Sequence, residues 1–109
     1  MGLRAEDFVL ILTINKWGEK VKTRATSMIS LKGNPVPNQI IIRSNNARYF
    51  QSYGTIIARV YKGKTTLDVN YWDYSRTTSK YRCMFLGETT QETKKQIKSG
   101  EYKLSDLNR

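Results

Sequence analysis

The sequence predicts an α+β domain: a small, mainly antiparallel β-sheet of about five strands followed by two short C-terminal helices. Three observations lead there. Up to Val69, β-branched and aromatic residues recur in short runs punctuated by Gly, Asn and Pro, as in strands joined by tight turns. From Ser75 onward, hydroxyl residues precede two runs that each end at a glycine, as in capped helices. The length of 109 residues suits one domain with a modest core and no disulfides, and no repeat or linker divides residues 1–109.

Phe8, Leu10, Leu12 and Ile14 alternate with Val9, Ile11 and Thr13, which reads as a strand covered on both faces, with a short helix as the competing reading. Asn15–Gly18 has turn chemistry. Lys20–Ile29 alternates charged and smaller residues, giving a second strand with one wet face that forms a hairpin with the first. The two prolines and glycine of Gly33–Asn38 predict a loop. Gln39–Arg43 is a short Ile-rich strand, and Ser44-Asn45-Asn46 tolerates the positive φ of a turn. Arg48–Tyr53 and Thr55–Tyr61 follow on either side of Gly54, and Lys62-Gly63-Lys64 turns the chain into Thr65–Val69.

Ser75, Thr77 and Thr78 are all N-cap candidates for a helix that begins near Thr77 and closes at Gly87. Tyr81, Met84 and Phe85 fall on one face, expected to be core, and Arg76, Lys80 and Cys83 trace a neighbouring stripe with Arg82 further round. Thr89 and Glu92 have the spacing of a capping box for a second helix ending at Gly100, anchored mainly by Ile97. Glu101–Leu104 reads as a terminal strand or arm, with Tyr102, Leu104 and Leu107 packing back on the domain.

Nineteen Lys and Arg against nine Asp and Glu, with no histidine, give +10 at pH 7, a charge that no imidazole can switch. Such an excess points to nucleic acid, acidic protein surfaces or anionic membrane. Between Lys16 and Lys64, ten basic residues face Glu19 as the sole acid, so the β-rich part carries most of the charge. Trp17, Tyr49, Phe50, Tyr53, Tyr61, Tyr71, Trp72 and Tyr74 interleave with these bases as stacking platforms do in single-strand binders, although most must build the core. The candidate partner-binding residues are Arg76, Lys80 and Arg82 beside Trp72 and Tyr74, with Arg48, Arg59, Lys62 and Lys64 from the sheet.

Catalysis is the least favoured class. There is no Walker or dinucleotide glycine pattern, and no histidine to act as base or metal ligand. Cys83 is the single cysteine, which excludes an intramolecular disulfide and fits a reducing compartment. Asp68, Asp73 and Glu88 are the one carboxylate set near the first helix, and salt bridges to Arg59, Arg76 or Arg82 are a better use of them than a divalent ion. No cofactor is expected. The apolar run Phe8–Leu12 is too short to span a bilayer and follows Glu6 and Asp7 rather than a basic segment, so a cytoplasmic protein without a membrane partner is expected.

Tyr49–Ala58, with its Ser-Tyr-x-Thr-Ile-x-Ala strand, and Tyr71–Leu86, with its Tyr-Ser-x-Thr-Thr-Ser helix cap leading to Phe-Leu, resemble a group of small phage- and plasmid-encoded proteins. The resemblance places residues 39–109 in a family-like core and leaves 1–38 as a variable N-terminal part. It implies a non-catalytic mobile-element accessory protein in the cytoplasm of an infected or plasmid-bearing bacterium. Two kinds of partner follow: DNA or RNA, or a host nucleoprotein nuclease inhibited as small anti-CRISPR proteins do. The charge argues against mimicry of DNA by the protein itself.

Overall fold

Tight turns set the register of the sheet. Asn45, at φ 51°, turns the chain so that Ser44 lies opposite Ala47. Tyr53 and Gly54 (51° and 79°) and Lys62 and Gly63 (49° and 76°) are positive at both central positions, the hairpin turn whose twist matches that of the strands it joins. In the computed structural model, which describes residues 8–14 and 20–108, six strands follow in antiparallel order: β1 (Phe8–Ile14), β2 (Lys20–Ile29), β3 (Pro35–Ser44), β4 (Ala47–Ser52), β5 (Thr55–Tyr61) and β6 (Lys64–Asp68). Helices α1 (Arg76–Leu86) and α2 (Thr90–Ser99) come next, and β7 (Lys103–Ser105) returns parallel to β6. The fold is α+β as expected, with a sheet of seven strands because the N-terminal hairpin and the C-terminal arm both pair. The Asn15–Gly18 turn, Trp17 and the side chains of β1 lie outside the described residues.

The prolines of Gly33–Asn38 do not keep that segment out of the sheet. Pro35 opens β3 opposite Ile29, and the register then shifts so that Ser27 faces Ile40, with Asn38 at φ 67° taking up the extra length. Proline is tolerated at a strand's first residue and within a bulge, where no ladder N–H is asked of it. Only the turn around Ser30–Asn34 remains as loop, closed by Ser30 N–H to the Asn34 carbonyl at 2.8 Å.

Directly opposed residues share a face, so Thr26, Ile41, Phe50, Ala58 and Leu67 form one row across five strands. The helices cover this face. Met28, Phe50, Ile57, Ala58 and Leu67 meet Tyr81 and Phe85 there, and the Phe50 and Phe85 rings stack with centroids 5.8 Å apart. A bulge at Phe50/Gln51 gives Ile57 its buried place beside Ala58.

Helix α1 starts at the Ser75 cap, whose Oγ accepts from Thr78 N–H at 3.1 Å, and stops at Gly87 with φ 70°. Its buried face is Thr78, Tyr81, Arg82 and Phe85. Met84, expected in the core with Tyr81 and Phe85, is instead exposed, because that stripe is centred between Tyr81 and Arg82 and leaves Met84 over its edge. Helix α2 carries the Thr89–Glu92 capping box and ends at Gly100, with Thr93 buried and Ile97 against the core. Tyr102 packs back as expected, whereas Leu104, on β7, which ends the strand order among the described residues, is exposed. No helix among the described residues is long and apolar enough to cross a membrane.

Candidate nucleic-acid interface

The Asn45 turn sets Arg43 opposite Arg48, and the pairing of β2 with β3 sets Arg24 opposite Arg43. Three guanidinium groups therefore start from one cross-strand row, beyond the C-terminal end of α1. Arg48 is half-buried: its Nη1 donates to the Phe85 carbonyl at 3.2 Å and its guanidinium lies 4.5 Å from the centroid of the Phe85 ring. A cation at that carbonyl complements the negative end of the helix dipole. Arg24 and Arg43 are exposed, and none of the three is ion-paired to a carboxylate among the described residues. Like charges directly opposed in a sheet are destabilising. Lys62, from the neighbouring turn, joins Arg43 and Arg48 around a cleft of about 360 Å³ floored by Val60.

On the face opposite α1 and α2, Tyr49 is opposite Arg59, Arg59 opposite Thr66, and Thr66 opposite Lys103. Tyr61 lies opposite Lys64 at the adjoining end. Arg59, Tyr61, Lys64 and Lys103 line a cleft of about 390 Å³ whose outer wall is Gly100–Glu101. Tyr49, Arg59 and Tyr61 continue it into a shallower depression of about 430 Å³ beside the Asn45 turn. Arg59 and Lys64 thus share this cleft, while Arg48 and Lys62 share the other.

The sequence-predicted strip on α1 does not form. Arg82 is fully buried, because Thr78, Tyr81, Arg82 and Phe85 follow one another at helical spacing on the face turned to the sheet. Its Nη1 donates to the Trp72 carbonyl at 2.6 Å and to Asp73 Oδ1 at 3.1 Å, its Nη2 to Thr90 Oγ1 at 2.7 Å, and the group lies 5.0 Å from the centroid of the Trp72 ring. Arg82 and Trp72 therefore lock the loop before α1 to the start of α2 and are not free to meet a ligand. Burial alone would raise the Asp73 carboxyl, but hydrogen bonds from Ser79 and Arg82, with the charges of Arg82 and Lys94, outweigh it and hold the group below its ordinary value.

Arg76 and Lys80 are exposed in the first turns of α1, with Tyr74 exposed beside them and edge-on to Tyr71 at 5.6 Å. That end of α1 is pinned to β4 by the 2.9 Å hydrogen bond between Ser52 and Thr78. Ser52 is four residues along β4 from Arg48, about 13 Å at strand rise, so Arg76 and Lys80 stand at the opposite end of the sheet from the arginine row.

The carboxylates offer no metal site: no group of three ligating residues comes together among the described residues. Asp68 instead accepts from the Asn70, Tyr71 and Leu107 N–H groups and from Asn108 Nδ2, and so ties the C-terminal tail to β6. Glu88 accepts from Thr93 Oγ1 and Tyr102 OH. Sequence reasoning counted Arg24 and Arg43 only as bulk charge and missed Lys103. The Asn45-Asn46 turn was the available signal, since a two-residue turn there forces the pairing of residue 43 with 48.

The chain belongs to a family of unknown function (DUF8033), whose model matches residues 22–101. The match takes in the arginine row and every lining residue of the open-face cleft except Lys103. No curated protein and no solved structure compared with the chain matches it.

Proposed function

We propose that this DUF8033 chain acts without catalysis, by binding the phosphate backbone of DNA or RNA at the end of the sheet where Arg24, Arg43 and Arg48 are aligned and Lys62 reaches in from the next turn. The single observation that carries the reading is the directly opposed register of the three arginines. An arrangement of like charges directly opposed, with the exposed guanidinium groups of Arg24 and Arg43 free of carboxylate partners among the described residues and Arg48 anchored beside them on the Phe85 carbonyl, suits a polyanion, because phosphate oxygens accept from guanidinium groups in pairs. The net charge of +10 adds a long-range attraction that steers encounter. The resemblance to phage- and plasmid-encoded proteins supports an accessory role of this kind in a bacterial host. A host nuclease loaded with nucleic acid would present the same phosphates, so an anti-CRISPR type of action is a special case of the same surface.

The test is fluorescence anisotropy of labelled DNA and RNA oligonucleotides at several salt concentrations. Micromolar or tighter binding is expected, with a log–log salt slope that falls by about two in an Arg24→Ala/Arg43→Ala double variant. Absence of binding at low salt, or a double variant that binds as the parent does, overturns the reading.

A further inference from the structure

The face of the sheet opposite α1 and α2 carries its own arrangement. Tyr61 is 47% exposed at the end of β5, the Lys62 ammonium 5.4 Å from the ring centroid on one side, and its ring borders both the 390 Å³ cleft and the depression that runs to Tyr49. Arg59 lies between the two tyrosines in the pairing pattern and borders both spaces as well. Lys103 lines the same cleft from β7, in one cross-strand row with Thr66 and Arg59, brought there by the parallel pairing of β7 with β6. Three cations, Arg59, Lys64 and Lys103, thus line one cleft; among the described residues Glu101 is its sole carboxylate and none of the three cations is ion-paired. Among the described residues Arg59 makes only a long contact, 3.5 Å, to Thr66 Oγ1.

We propose that this cleft is a nucleotide subsite for single-stranded nucleic acid. An unstacked base lies on the Tyr61 ring, and its flanking phosphates are held by Arg59, Lys64 and Lys103. The inference rests on the nucleic-acid reading above and narrows it. A base paired inside a duplex cannot present its π-face to a side chain, whereas a splayed single strand presents one at every nucleotide. The cleft's volume falls within the range of sites that enclose a small ligand. Its cations complement the phosphates, and Glu101, an acceptor only, stands where it can take a hydrogen bond from a base amino group. The arginine row at the rim holds any backbone, while the cleft selects the strand that can open its bases.

The experiment compares labelled single-stranded and duplex DNA of equal length on the parent, Tyr61→Ala, Tyr61→Phe and Lys103→Ala, with circular dichroism melts to establish that each variant is folded. Tyr61→Ala is expected to weaken single-strand binding about tenfold, with the salt slope unchanged and the duplex unaffected. Tyr61→Phe should bind as the parent, since the stacking face is kept. Lys103→Ala should lower the single-strand slope by about one. Equal losses on both substrates in Tyr61→Ala, or no loss, would overturn the subsite while leaving the arginine-dependent binding standing. A parent protein that binds neither substrate removes both readings at once.

Discussion

The buried guanidinium of Arg82 donates to the carboxylate of Asp73 across 3.1 Å, and through this pair the loop after β6 is fastened to both helices. Removing the guanidinium takes a donor from the Trp72 carbonyl, the Thr90 hydroxyl and the Asp73 carboxylate together, leaving Asp73 the bond from Ser79. Arg82→Met should therefore cost about 2–3 kcal/mol in urea unfolding, below the value for a wholly buried pair because Asp73 keeps access to water. A loss under about 0.5 kcal/mol would show that the loop is held by packing on Trp72 alone.

Asp73 gives the same network a pH dependence of definite sign. Its carboxyl is held below its ordinary value in the folded protein, so its contribution is present above the unfolded value and is lost as pH falls through the folded one. Asp73→Asn should be less stable than the parent at neutral pH by about 1 kcal/mol, with the two unfolding midpoints converging in strong acid. A difference that stays constant over the whole acid range would refute the assignment.

Tyr102 behaves oppositely. Burial, then the hydrogen bond and charge of Glu88, push its phenol up to about 12 against the pull of Thr65. A raised folded value means that its contribution is intact below the unfolded value near 10 and fades as pH rises through 12. In an alkaline titration followed by phenolate absorbance, one of the seven tyrosines should ionise late, and Tyr102→Phe should remove that late step. Persistence of the step in the variant would place it on another ring.

Much of the fold was legible because its signals are local. Ser75 and Gly87 bracket α1, Thr89, Glu92 and Gly100 bracket α2, and Gly54 and Gly63 mark hairpin turns. What escaped depends on position in three dimensions. Prolines at 35 and 37 read as loop, since nothing local says that the strand opens at a bulge which needs no N–H from them. Arg82 read as surface because arginine usually is, although its spacing from Thr78, Tyr81 and Phe85 already put it on the buried stripe. Lys103 reaches the open-face cleft through a parallel pairing made after two helices, a contact without a short-range sign.

Gln39 is fully buried on the helix-covered face, and neither its amide oxygen nor its amide nitrogen has a hydrogen-bond partner among the described residues. It sits opposite Ser52, whose hydroxyl is taken up with Thr78. An unpartnered buried amide costs more than a methionine of similar volume. Gln39→Met should therefore raise stability by about 1 kcal/mol, read from the urea midpoint at constant slope. A destabilised variant would mean that the amide is satisfied in solution.

The arginine row makes the sharpest claim, because stability and binding should move in opposite directions. Arg43 stands between Arg24 and Arg48, so Arg43→Glu turns three like charges into an alternating set in which the new carboxylate has a guanidinium on either side. The sheet should gain about 0.5–1 kcal/mol, since opposite charges directly across strands stabilise and like charges do the reverse. Binding to DNA or RNA should weaken well beyond the loss in Arg43→Ala, because a repulsive charge then faces the phosphates. By contrast, an Arg76→Ala/Lys80→Ala variant, altered at the far end of α1, should change the salt slope less than the Arg24→Ala/Arg43→Ala variant does. A gain in stability with binding intact would mean that the row is an accident of register. A loss of stability in Arg43→Glu would show that the three arginines are not in conflict, and would remove the physical reason for assigning them to a ligand.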